Sequence, residues 1–452
     1  MRKAQIVPIT AGELNARGQA TARFGELPLY IPGLLPGERA DVEIVRRSSS
    51  YALGQVLRRH SSSAQRVASD CSAFPRCGGC TVRHLSYDGQ LQAKRTLARQ
   101  QAAAAGLLLP EHLPVHPAPS TTGYRNRAIH ACAPMDAKQG TGLQTGLYGP
   151  DSQQLVAVDR CQVEPELHDQ LRARLRGWAT REAIPIWTRE RPRGLRHILL
   201  RSNAERSALV LGLIGYDLEL PLPALRTALE GFALTGCFQL EQRDAHSNTI
   251  LDGQITPLWG ELQLSEQVAH CSVRTAATDF FQLNAGTTNQ IAEALCAGVT
   301  RATRVLEFYS GSGTFSLPLA RAAQQLLGFE RESAAVDCAR ANAAANAIDT
   351  AHFHGLDLAS PQLGSELTRM CGPGGGTELI VADPPRKGMS PALRDWIAHR
   401  AAPRLLLLAC DGDSGARDAQ YFVQRGYRLA ALDLYDMFPG TLQAEWLIDL
   451  QR

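Results

Sequence analysis

Three cysteines, Cys71, Cys77 and Cys80, stand within ten residues, with Gly78-Gly79 making the turn between the last two. Thiolates on so tight a loop can converge on one soft metal centre, completed by a ligand from far along the chain. Cys161, which follows the strand-like LVAVD, is the leading candidate for that fourth ligand. Three-plus-one spacing differs from the paired C-x-x-C ribbons of structural zinc, so it favours an iron–sulfur cluster, with zinc the alternative. A different thiol chemistry is open to Cys410 at the end of LLLLAC. Ionised, it is a nucleophile; un-ionised, it is an inert strand-end thiol.

Val305–Phe315 reads as an apolar strand, a G-S-G loop and the start of an apolar helix. Gly311 and Gly313 let the chain turn tightly and clear side chains from the path of a ligand approaching the backbone. Glu330 ends the next strand, where a carboxylate can accept hydrogen bonds from ribose hydroxyls. Ser316 stands where a dinucleotide fingerprint carries its third glycine, which favours a class I methyltransferase cofactor over NAD. Asp383 opens Asp383-Pro384-Pro385-Arg386-Lys387-Gly388 directly after the strand-like ELIVA. Polar groups beyond the carboxyl end of a parallel strand lie where such sheets bind ligands, and prolines stiffen the loop.

The elements that position these residues fall into three stretches. With 452 residues, about three domains are expected. Residues 4–59 read as five short strands (QIVPIT, QATARF, LPLYIPG, RADVEIV, YALGQVL), a small β-barrel of the oligonucleotide-binding type. A helix through Tyr87–Ala105 follows the cysteines, then strand-rich stretches 124–158 and 196–262 with a helix over 164–183 between them. From about residue 276, strands alternate with helices, which implies a doubly wound parallel sheet. The expected domains are 1–60, 61–275 and 276–452: a barrel, a central α+β domain with the cysteine motif, and an α/β Rossmann-like catalytic domain.

Hydrophobic residues make up 44% and charged residues 20%, an ordinary balance for a chain with sizeable cores. The basic N-terminus lacks an apolar h-region and no run approaches a membrane span, so neither a leader nor a membrane partner is expected. Eleven scattered cysteines argue for reduced thiols and a cytoplasmic protein. Residues 1–110 hold 15 Lys+Arg against 7 Asp+Glu, a balance of +8 within a whole-chain net of +3, which suits a polyanionic partner. Only four of the 47 basic residues are lysines.

Taken in order, these pieces resemble the bacterial RNA 5-methyluridine (uracil-C5) methyltransferase family across nearly the whole chain. The resemblance is carried by the barrel with IPGLLPGE, similar to a TRAM domain, by Cys71…Cys77-Gly78-Gly79-Cys80, by Tyr124-Arg125-Asn126-Arg127 and by Cys161. It continues through Phe280-Phe281-Gln282-Leu283-Asn284, EFYSGSGTF, DPPRKG, Cys410 with Arg417-Asp418, and Asp436-Met437-Phe438-Pro439…Glu445. The resemblance implies S-adenosylmethionine as methyl donor and a [4Fe–4S] cluster on Cys71, Cys77, Cys80 and Cys161. It implies Cys410 as nucleophile, Glu445 as general base, and cofactor contacts from Gln282, Tyr309, Gly311, Gly313, Glu330, Asp357 and Asp383. The implied partner is RNA, with the 23S rRNA branch nearer than the tRNA branch, and a monomer is expected.

The family usually reads S-C-N-P at the nucleophile, where this chain has Ala409-Cys410-Asp411-Gly412. Asp411 is expected to raise the thiol pKa by its charge, and Gly412 to loosen the loop. Gly440 and Gln443 replace two histidines, and Glu307 and Ser310 stand where Asp and Cys are usual. These departures leave two alternatives beside the active enzyme: an RNA-binding protein that has lost turnover, and methylation of another base without a covalent step.

Overall fold

The structure, a computed structural model, describes residues 5–136, 141–374 and 377–452. The N-terminal expectation for residues 1–4 lies outside the described residues.

The five N-terminal strands form as their alternation predicts: β1 Ile6–Thr10, β2 Ala20–Phe24, β3 Leu27–Ile31, β4 Arg39–Arg47 and β5 Ala52–Arg59. They pair in the order β1-β4-β5-β3-β2. Backbone bonds from Gly12 N to Thr21 O (2.7 Å) and from Ala11 N to Glu38 O (2.8 Å) curl the sheet into a barrel-like form. Leu29, Ile31, Ala40 and Val42 fill its interior, joined by Val82, Leu85 and Leu442 from outside the barrel.

Helix α1, Tyr87–Ala104, starts at Ser86, whose hydroxyl caps Gly89 N, and buries the i,i+4 stripe Gln90, Lys94, Ala98 and Ala102. Strand β6, Val115–His116, follows. Both were expected within the central domain by sequence, yet their packing is catalytic. Ala98, Ala102, Leu107 and Leu113 lie in the catalytic core, and β6 joins the edge of the catalytic sheet.

The central domain contains β7 Arg127–Asp136, β8 Thr141–Tyr148, β9 Leu155–Ala157, α2 Glu166–Arg181, β10 Gly194–Ser202, β11 Leu209–Tyr216, α3 Leu222–Ala228, β12 Leu234–Gln242 and β13 Gly253–Gly260. Its seven strands run in the order β13-β12-β11-β10-β7-β8-β9. Leu171, Leu175 and Trp178 of α2 pack on one face. The short α3 lies within the stretch 196–262 expected to be strand-rich.

The catalytic unit opens with the hairpin β14 Gln263–Val268 and β15 Cys271–Ala276, then α4 Ala285–Cys296. The doubly wound part is β16 Arg304–Phe308, α5 Ser316–Ala322, β17 Gln325–Glu330, α6 Ser333–Ala345, β18 Ala351–Gly355, α7 Leu363–Cys371, β19 Glu378–Ala382, α8 Pro391–Arg400, β20 Arg404–Ala409, α9 Gly412–Val423, β21 Arg428–Tyr435 and β22 Glu445–Gln451. The sheet order is β18-β17-β16-β19-β20-β22-β21-β6. The first five are parallel, and β22 runs antiparallel to both its neighbours. From β16 the chain winds first toward β18 and then back toward β20, so the switch point lies between β16 and β19. Open α/β sheets bind their ligands at such a point, beyond the carboxyl ends of the strands. Among the described residues no helix is long and apolar enough to cross a membrane.

Candidate active site

Register brings the first pair of predicted residues together. β20 and β22 pair Ala409 with Trp446, so Cys410 and Glu445 stand opposite each other one step beyond. Across the switch point, β16 and β19 pair Phe308 with Ala382, which sets Tyr309 beside Asp383. Four strand ends therefore converge on one place.

The site is partly to fully buried and rich in carboxyl groups, and both facts act on its protonation. Burial, reinforced by the charges of Glu445 and Asp383, pushes the Cys410 thiol up to about 11, with Arg386 opposing. Burial lifts Asp383 to about 7. It raises Glu445 well above the carboxylate range, with Asp383 adding and Arg386 opposing. Glu445 Oε1 is buried without a hydrogen-bond partner among the described residues.

Asp411 and Gly412 do not act as expected. The Asp411 carboxylate turns away to cap α9, accepting from Ser414 N at 2.9 Å. The carboxyls bearing on the thiol are Glu445 and Asp383. An Asn would cap that helix equally well, so the exchange conserves geometry. Gly412 is packed: a Cβ there would lie 2.2 Å from Gln101 Oε1 and 2.6 Å from Trp446 Cζ2. Its missing side chain serves close approach.

The glycine loop is shaped to receive a ligand. Tyr309, Gly311 and Gly313 have φ of +64°, +54° and +88°. A Cβ on Gly311 would meet no heavy atom within 4 Å, so it faces open space. The buried hydroxyls of Ser310 and Ser312 lack partners among the described residues. Glu330 ties the loop down: one carboxylate oxygen accepts from Gly311 N at 3.1 Å, the other from Arg331 N at 2.7 Å and Glu332 N at 3.0 Å. The Tyr309 hydroxyl accepts from Ser390 N at 3.5 Å. Asp357 is exposed just after β18 and accepts from Ala359 N at 3.0 Å. Gln282 is buried, and its carbonyl accepts from Asn126 Nδ2 at 3.0 Å.

Sequence reasoning gave no role to three residues that shape this site. Buried Asp418 accepts from Met389 N at 2.7 Å and pairs with Arg394 at 3.0 Å, fixing the loop after Asp383. Glu307, noted only as an exchange for Asp, is pushed to about 8 by burial, with Ser316 opposing and Asp383 adding. Arg386 is the cation bearing on both Cys410 and Glu445. An acid in the middle of an apolar strand was the one signal available.

Cys71, Cys77, Cys80 and Cys161 line a cavity of about 350 Å³, between the 71–80 segment and β8, with Arg83 and Glu164 in its wall. Gly79 N donates to Cys77 Sγ at 3.4 Å. Burial pushes the thiols of Cys77, Cys80 and Cys161 upward. No set of three or more His, Cys, Asp or Glu among the described residues is arranged to hold a metal ion. Cys71, Cys77, Cys80 and Cys161 thus share a cavity rather than a closed coordination sphere. The donors are all sulfur, which suits soft iron.

A TRAM barrel joined to a Rossmann-like methyltransferase domain defines the class. The TRAM domain matches residues 2–57, and the family described as tRNA (Uracil-5-)-methyltransferase matches residues 258–452. An uncharacterized RNA methyltransferase of Thermosynechococcus vestitus is 31% identical, covering 97% of this chain and 96% of its own. Another from Gloeobacter violaceus is 30% identical, covering 99% and 96%. The crystal structure of Pyrococcus abyssi tRNA (uracil-54, C5)-methyltransferase with S-adenosyl-L-homocysteine matches the fold with a TM-score of 0.78 at 24% identity, covering 98% of this chain and 100% of that one. This chain belongs to the RNA uracil-5-methyltransferase family.

Proposed function

We propose that the protein transfers a methyl group from S-adenosylmethionine to C5 of a uridine in RNA, through a covalent bond from Cys410 to C6. The observation that carries this reading is the opposition of Cys410 and Glu445 at the ends of β20 and β22. As its thiolate, Cys410 Sγ bonds to C6, and the C5–C6 electron pair moves onto the ring carbonyl, making C5 nucleophilic. C5 then takes the methyl carbon that bound S-adenosylmethionine would supply, and that carbon's bond to the sulfonium sulfur breaks, leaving S-adenosylhomocysteine. Glu445 takes the C5 proton, the C5–C6 double bond re-forms, and the Sγ–C6 bond breaks. Gly311, Gly313 and Tyr309 shape the cofactor's cradle, with Gln282, Glu330, Asp357 and Asp383 around it; the open space before Gly311 fits such a ligand. A base within folded RNA is flipped out to reach this site.

The expected substrate is 23S rRNA, on the resemblance of the barrel and cysteine motif to that branch. The second reading is tRNA, which the Pyrococcus abyssi enzyme's description names. Mass spectrometry of nucleosides from separated 23S rRNA and tRNA of a deletion strain distinguishes them: 5-methyluridine disappears from one pool. The covalent step is tested with 5-fluorouridine-substituted RNA and the methyl donor. A denaturation-resistant protein–RNA adduct is expected, absent in Cys410→Ala. Methyl transfer that persists in Cys410→Ala overturns the mechanism.

The same reading puts a [4Fe–4S] cluster on Cys71, Cys77, Cys80 and Cys161. Such a cluster supplies a redox-active or structural centre. Four irons and four sulfides per chain in anaerobically purified protein, lost in Cys161→Ser, are expected; stoichiometric zinc instead would overturn this assignment.

A further inference from the structure

Glu445 is buried, and among the described residues its Oε1 has no hydrogen-bond partner to aim it. A base so placed depends on the backbone that delivers it. Glu445 opens β22, paired with Tyr435, and the segment 436–444 that leads into it from β21 is held by helix α1 from the N-terminal third of the chain.

Lys94, one of four lysines in the sequence, lies fully buried in the middle of α1. Its Nζ is 2.8 Å from Asp436 Oδ1 at the start of the segment, and it donates to the carbonyls of Phe438 (3.4 Å) and Gln443. One ammonium thus gathers the beginning, middle and end of the segment, and Glu445 follows two residues later. One turn earlier on α1, Gln90 Oε1 accepts from Gly440 N at 2.8 Å. From the catalytic side, Thr287 Oγ1 donates to Asp436 O at 3.2 Å.

We infer that Lys94 is a positioning residue for the general base, acting through the 436–444 segment. The inference rests on the methyl-transfer reading above. It has a signature that simple destabilisation lacks. Proton removal follows methyl transfer, so a misplaced Glu445 leaves Cys410 still bonded to the methylated base. A displacement of about 1 Å slows such a step by about a hundredfold.

The test uses the full-length protein, unmodified uridine-containing RNA and the methyl donor. With Lys94→Met, a methylated, denaturation-resistant protein–RNA adduct accumulates, kcat falls by about a hundredfold and the KM for RNA changes little. Lys94→Met combined with Asp436→Asn removes both buried charges, guards against misfolding of the single variant, and is expected to trap the same adduct. Glu445→Gln is the reference. Where Glu445→Gln accumulates adduct but both Lys94 variants either turn over normally or lose activity without adduct, the positioning role is wrong. Absence of adduct in Glu445→Gln overturns the assignment of the base, and this inference with it.

Discussion

Carboxyl groups crowd Cys410, and their direction of influence sets its pH dependence. A thiol held at about 11 is almost wholly protonated at neutral pH in the free protein, whereas an ordinary cysteine titrates near 8.5. Alkylation of Cys410 by iodoacetamide, followed by mass spectrometry, should therefore still be accelerating at pH 10; a plateau near pH 8.5 contradicts the electrostatics. Glu307 makes a second case. Its folded pKa of about 8 lies above its ordinary 4.5, so the folded state binds the proton more tightly. The stability this gives is present in full below 4.5 and is lost as pH rises through 8. Glu307→Gln should flatten the fall in Tm between pH 5 and 8. At this scale the sequence offered candidates, Cys410 and Asp383 from their motifs and Glu445 from the family resemblance. It could not show their mutual bearing, because opposition across β20 and β22 is a matter of register. The Asp411 expectation failed for a local reason: side-chain direction is set by the helix it caps.

Elements add a packing constraint at the same loop. Gly412 begins α9 where Gln101 and Trp446 leave no room. Gly412→Ala should destabilise the protein by about 1–3 kcal/mol, the usual range for overpacking. Shortening the obstruction with Gln101→Ala should recover part of that loss in a denaturant titration; no recovery would place the strain elsewhere. Strand β4 was legible because inward Ala40 and Val42 alternate with Arg39, Asp41 and Glu43. Two features escaped that logic. Helix α3 has seven residues beside long buried strands, too few to show its own period. Strand β6 has two, and exists because β21 offers an edge: Leu434 pairs with Val115 and Tyr435 with His116. The ring of His116 stacks on Tyr435 at 4.4 Å and its Nε2 lies 2.8 Å from Asp433, contacts no local window contains.

For the molecule as a whole, chain order and core membership disagree. The family match to the catalytic portion begins at residue 258, but Ala98, Ala102, Leu107 and Leu113 lie in its core. Lys94 is likewise the counter-ion of buried Asp436. A fragment of 258–452 would bare that apolar surface and strand the carboxylate, a loss of about 3–5 kcal/mol for the broken pair alone. Expressed by itself it should aggregate or bind a hydrophobic dye. Adding residues 81–116 in trans, or on a linker, should restore a cooperative melt; a fragment that melts cooperatively unaided would refute this.

Heredity meets the same obstacle. A crossover between relatives anywhere from residue 117 to residue 257 gives each descendant α1 and β6 from one parent and the sheet they complete from the other, so the two surfaces must still match. Breakpoints ahead of Tyr87 keep α1, β6 and the sheet together, and it is then Leu442 that must fit the exchanged barrel.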